Sequence, residues 1–162
     1  MSQVPWVSAY TIVHEDKSML VVNKPAGWAV ARRESRSGKV SPGVLLDQLP
    51  VLPGESLLPA HRVDDEIGGL VVFAKSKTAL DFLSGQFQSK SAERVYRGFA
   101  VVASEAEAAE ITSMPLVRES GGRLPSNFDV NYALAPDQHV LGRMHVYRKK
   151  GGRPAFTAFR VL

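Results

Sequence analysis

At 162 residues, with 44% hydrophobic and 22% charged side chains, the chain has the size and balance of one globular domain able to bury a core. The absence of cysteine excludes disulfides, thiolate nucleophiles and cysteine-based zinc sites. No apolar run is long enough to cross a bilayer, and residues 1–8 have neither the basic nor the apolar region of a secretory signal, so a cytoplasmic protein is expected.

Residues 10–13 (YTIV) and 19–22 (MLVV) predict two short strands around the polar turn His14-Glu15-Asp16-Lys17. Asn23-Lys24-Pro25-Ala26-Gly27 then stops the second strand with turn chemistry. Residues 32–39 read as an exposed basic loop, and Ser41-Pro42 as the cap and first position of a short helix through Val44, Leu45 and Leu49. Gly68-Gly69 leads into a buried strand over residues 70–74 (LVVFA). Ser76 is placed to cap a helix reaching about Gln88, with Ala79, Leu80, Leu83 and Phe87 as its apolar stripe and Phe82 at the margin.

Further on, residues 95–102 (VYRGFAVV) predict a strand, and residues 103–111 a short acidic helix or helical turn. Residues 144–147 and 155–161 predict two strands joined by the turn Lys150-Gly151-Gly152. Strands outnumber helices and come as hairpins, so the expected class is α+β, with a mixed, largely antiparallel sheet flanked by helices.

A formal net charge of +4 favours polyanionic partners, because neutralised phosphates release counterions. Arg143, Arg148, Lys149, Lys150, Arg153 and Arg160 stand with no acid among them, and Arg32, Arg33, Arg36 and Lys39 form a second basic group around Glu34. Glu105, Glu107 and Glu110 gather elsewhere, an asymmetry that suits one face turned toward a phosphate backbone.

The densest polar cluster is His61-Arg62-Val63-Asp64-Asp65-Glu66, between a proline-rich loop and a predicted buried strand. Three readings of it stand side by side. His61, Asp64, Asp65 and Glu66 are possible metal ligands, though in no standard ligand pattern. Consecutive charges beside Gly-Gly also describe a plain solvated turn. A third reading makes Asp64 a nucleophile or base, kept ionised by the adjacent Arg62.

Residues 60–87 (AHRVDDEIGGLVVFAKSKTALDFLSGQF) resemble the "HRLD…TSGLLLFAK" signature of RluA-type pseudouridine synthases. LVVNKPAG at 20–27, RVYRGFAVV at 94–102, MPL at 114–116 and GGRPAFTAFRVL at 151–162 resemble other elements of that family, in its order. The resemblance implies an RNA-modifying isomerase needing no cofactor and no metal, acting on ribosomal or transfer RNA. It makes residues 10–162 an N-terminal portion of the catalytic domain, after an extension of residues 1–9.

Carried over by position, the resemblance makes Asp64 the essential aspartate and Tyr96 the tyrosine that packs on the target base and is a candidate for the final proton removal. Arg62 corresponds to the arginine associated with the flipped-out nucleotide, and His61 and Arg94 join it as substrate-binding candidates. A stacked base must leave the helix before such chemistry, and an aromatic face with a cation can compensate the lost stacking.

Two departures from the family pattern carry expectations of their own. Ile67-Gly68-Gly69 stands where the family has Thr-Ser-Gly, and the loss of two hydroxyls predicts a less firmly held Asp64. The family continues past the position of Leu162 with strands bearing a "TGRTHQIRxH" motif, whose basic residue pairs with the aspartate, so this chain is expected to be either a fragment of a longer member or a naturally shortened one. The small RNA-binding domain that often precedes the family's catalytic body is expected to be absent.

Overall fold

The computed structural model describes residues 10–32, 43–100, 124–137, 144–146 and 151–162. They fall into two compact units, Met1–Tyr96 and Arg97–Leu162. The first holds strands β1 (Thr11–Glu15), β2 (Met19–Lys24), β3 (Leu58–Pro59) and β4 (Gly69–Ala74), with helices α1 (Leu45–Gln48) and α2 (Lys77–Gln88). The strands pair antiparallel in the order β1-β2-β4-β3.

The first hairpin turns two residues later than its composition suggests. Asp16 causes the shift, since its Oδ1 accepts from the main-chain N–H groups of Ser18 (2.7 Å) and Met19 (2.8 Å) and so fixes the turn there. His14 and Glu15 consequently stay in β1, which bulges between Ile12 and His14.

Alternation along β2 and β4 builds the core. Leu20 stands opposite Phe73 and Val22 opposite Val71, and all four are essentially buried. Val30, Leu45, Leu49, Leu57 and Val63 pack in the same cluster. Lys24 follows Leu20 and Val22 at the same alternation and is buried with them. Gly69, opposite it, adopts φ 131°, a conformation that favours glycine at the entry to β4.

Helix α1 is a single turn. Its predicted cap and proline, Ser41 and Pro42, lie outside the described residues, and Val44 enters it without a side-chain cap. Leu49, ahead of Pro50, is already extended, as the proline demands of its neighbour. Helix α2 starts as expected, with the Ser76 hydroxyl accepting from the Ala79 N–H at 3.1 Å. It lies against β3 and β4, but Ala79, Leu80, Leu83 and Phe87 reach only half-burial. Among the described residues no helix is long and apolar enough to cross a membrane.

The second unit is a three-stranded antiparallel sheet of β5 (Asn127–Pro136), β6 (Met144–Val146) and β7 (Arg153–Arg160), in the order β6-β5-β7. The two strands expected to pair across Lys150-Gly151-Gly152 instead each pair with β5, which lies between them. Sequence reading passes over β5 because Asn127, Asp129 and Asn131 depress its strand propensity, although Phe128, Val130, Tyr132 and Leu134 alternate correctly. The strand expected over 95–102 is not formed at residues 95–100, which are exposed coil; 101–102, like the acidic segment 103–111, lie outside the described residues. Strand-forming composition becomes a strand only where a neighbouring backbone completes the ladder, and none does so for this segment among the described residues. The architecture is α+β with antiparallel sheets and few helices, as the sequence suggests.

Candidate active site

Exposure alternates through the charged cluster: Arg62 outward, Val63 into the core, Asp64 outward. Burial of Val63 therefore holds the carboxylate-bearing segment against the body while its neighbours face solvent. A shallow cleft of about 160 Å³ opens here, lined by Val30, Ala31, Pro59, Arg62 and Val63. Among the described residues Arg62 is its one charged wall, which suits an anionic or polar guest.

The turn after Asp64 is held by main-chain contacts rather than by hydroxyls. The Ile67 N–H donates to the Asp64 carbonyl at 3.0 Å, and the Gly27 N–H to the Asp65 carbonyl at 2.7 Å. Lys24 adds a third fastening from below, its Nζ donating to the carbonyls of Trp28 (2.6 Å), Pro25 (3.0 Å) and Asp65 (3.1 Å). The missing Thr and Ser thus do not leave the turn loose. Burial pushes the Lys24 ammonium below its ordinary range, and the carboxylates of Asp65, Glu66 and Asp64 push back.

His61 is committed to the scaffold. Its Nε2 accepts from the Val72 N–H at 3.1 Å, and its ring stacks on Phe87 with centroids 4.2 Å apart. That bond fixes the tautomer with the proton on Nδ1, a buried atom with no hydrogen-bond partner. Burial lowers its tendency to charge; the Arg62 main chain opposes this in part, and Arg94 adds to the lowering. With Nε2 occupied, His61 is not grouped with Asp64 and Glu66 as a ligand set, and no cluster of metal-binding side chains forms among the described residues.

The other sequence candidates are placed less tightly. Arg94 lies near enough to His61 to act on it electrostatically. Tyr96 is 61% exposed in coil, without a hydrogen bond or ring contact among the described residues. No ion pair joins Arg62 to Asp64, so the direct pairing suggested by their spacing is not made. Lys24 is the residue that sequence reading missed, since it looks like a turn lysine after a strand. The available signal was its place in the inward alternation Leu20, Val22, Lys24.

Comparison with known proteins bears on the family and the fold. A family model described as RNA pseudouridylate synthase matches residues 18–162. Ribosomal large subunit pseudouridine synthase D of Neisseria meningitidis is 32% identical over 98% of this chain, and tRNA pseudouridine synthase C of Pectobacterium carotovorum 26% identical over 93%. The chain spans 37% and 34% of the lengths of those two proteins. A solved structure titled Human RNA Pseudouridylate Synthase Domain Containing 4 superposes with a TM-score of 0.56 at 20% identity, covering 93% of this chain and 53% of the other, a likeness of fold. Together with the match over nearly all of its length, the HRVDD turn and its antiparallel scaffold place this chain in the RNA pseudouridylate synthase family.

Proposed function

We propose that this chain carries the aspartate-bearing part of an enzyme that isomerises uridine to pseudouridine in RNA. The observation that carries the reading is Asp64 presented to solvent on a turn whose Asp65 carbonyl is fastened to β2 and its following loop. A reacting carboxylate gains most from such rigid support, because near-attack geometry replaces a costly search for orientation.

The chemistry is an internal rearrangement. Asp64 acts on the extruded nucleotide, either at the sugar carbon or by abstracting a proton, and the bond from that carbon to N1 of uracil breaks. The base turns and the same carbon bonds to C5. The C5 proton then leaves, N1 regains a proton, and no atom is gained or lost. Arg62, on the wall of the cleft, supplies a cation for the extruded nucleotide. Arg94 and the exposed ring of Tyr96 supply further contacts, with Tyr96 the acceptor of the C5 proton, while His61 contributes by holding β4. Ribosomal or transfer RNA is the expected partner, and the cytoplasm the expected place.

A second reading, an RNA-binding protein of this family without activity, draws on the exposed Tyr96 and on the lack of an ion pair between Arg62 and Asp64. Transcripts tritiated at C5 of uridine separate the two. Under the first reading the chain releases tritium to water and Asp64→Asn does not. Salt-sensitive RNA binding without release from either protein would defeat the first reading and favour the second.

A further inference from the structure

We propose that one face of the β5–β7 sheet is a platform for single-stranded RNA, on which an unpaired base stacks against Phe156 while Arg160 meets a phosphate. The platform is separate from the chemistry of Asp64, and rests on the function proposed above only for the identity of the polymer.

Alternation and register define the face. Phe156, Ala158 and Arg160 of β7 share it with Asn127, Asp129 and Asn131 of β5, Asn131 standing opposite Phe156 and Asn127 opposite Arg160. The reverse face carries Val130 and Tyr132 at half-burial and the stacked rings of Phe128 and Phe159, so the sheet's own aromatic contact is made there. On the first face Phe156 is 60% exposed. The residues beside it, Pro154, Ala158 and Asn131, are short, and among the described residues β7 pairs on one side only. The ring is therefore open to a flat partner.

A single exposed phenylalanine is ordinary on a protein surface. The groups around this one point to a ligand. Arg160 is exposed on the same face, and among the described residues neither its guanidinium nor the amides of Asn127 and Asn131 make a side-chain hydrogen bond or ion pair. Successive outward positions of β5 are Asn, Asp and Asn, which weaken a strand where threonine would solvate the face without that cost. What they supply is recognition: an amide offers donors and an acceptor together, and a carboxylate accepts from the amino groups of bases. Open aromatic faces, cations and base-edge partners are the means by which proteins hold unpaired RNA, whereas the bases of a duplex are stacked out of reach. Charge agrees, since Arg153 and Arg160 stand against the single acid Asp129 in the strands of this unit.

Fluorescence anisotropy of the full chain with a labelled oligoadenylate, and with a duplex RNA, tests this. The variants are Phe156→Ala, Phe156→Trp and Arg160→Gln, beside Phe82→Ala, which removes a ring 69% exposed on α2. Phe156→Ala is expected to weaken oligoadenylate binding about tenfold without changing its salt dependence, since stacking is lost and no counterion release. Phe156→Trp should keep the affinity. Arg160→Gln should flatten the slope of log affinity against log salt by about 0.7, the share of one single-strand phosphate. Duplex binding by Phe156→Ala, and all binding by Phe82→Ala, should match the unaltered chain. Unchanged oligoadenylate binding in Phe156→Ala, an equal loss in Phe82→Ala, or no binding by the unaltered chain would overturn the platform. A Phe156→Ala effect on oligomeric state alone would overturn it too, and make the face a contact between copies. Tritium release beside unchanged binding in Phe156→Ala defeats the platform and keeps the reaction; no release beside the expected binding pattern does the reverse.

Discussion

The two sheets of this chain are made by the same antiparallel pairing, yet among the described residues only one of them holds a core. In the first unit Leu20, Val22, Val71 and Phe73 lie in register and share a cluster with Val30, Leu45, Leu49, Leu57 and Val63. In the second, Phe128 and Phe159 also lie in register and their rings stack at 4.8 Å, but Phe159 remains 44% exposed and Phe156 60%. Every buried hydrophobic side chain among the described residues falls between Leu20 and Ala74. Register aligns side chains across strands, and a covering layer is what removes them from water. The candidate site grows from the covered sheet, where a turn can be fastened from beneath.

The sharpest way to break this comparison is to remove one aromatic ring from each sheet. Phe73→Ala should cost about 3–5 kcal/mol, because a fully buried ring leaves a cavity. Phe156→Ala should stay within about 0.5 kcal/mol. Urea unfolding checks both, and equal shifts in the midpoint would contradict the contrast drawn between the sheets. A smaller loss, about 1 kcal/mol, is expected for Ser76→Ala, which strips α2 of its cap. Exchange at the Ala79 amide should rise with it.

The smallest effect is a slope with pH, and it comes from His61. Its folded-state value is depressed, chiefly by burial. The stability this neutral ring contributes is therefore fully present above its unfolded value of about 6.5 and is lost as pH falls through the lower folded value. Urea midpoints across that window should decline with acid in the unaltered chain and decline less in His61→Gln. Parallel declines would remove His61 as the cause.

Much of the scaffold was legible because it rests on local chemistry. Alternation marked β2 and β4, and Ser76 before an apolar stripe marked α2, down to its first residue. The HRVDD turn identified the family before any pairing was known. Other features were illegible because their causes lie elsewhere in the chain. Residues 95–100 have strand composition and no strand, since no described neighbour completes their ladder. Strand β5 hides behind its asparagines until β6 and β7 claim its two edges.

By itself the sequence determined the class of fold and the family, because periodicity, capping and a contiguous motif are written in neighbouring residues. Only the tertiary structure decided that His61 spends its Nε2 on Val72, that β5 lies between β6 and β7, and that Lys24 lies under the acidic turn. Each of these is a contact between segments far apart in the chain. Its partner is chosen by packing and by the need to satisfy buried polar groups, and no local pattern records that choice.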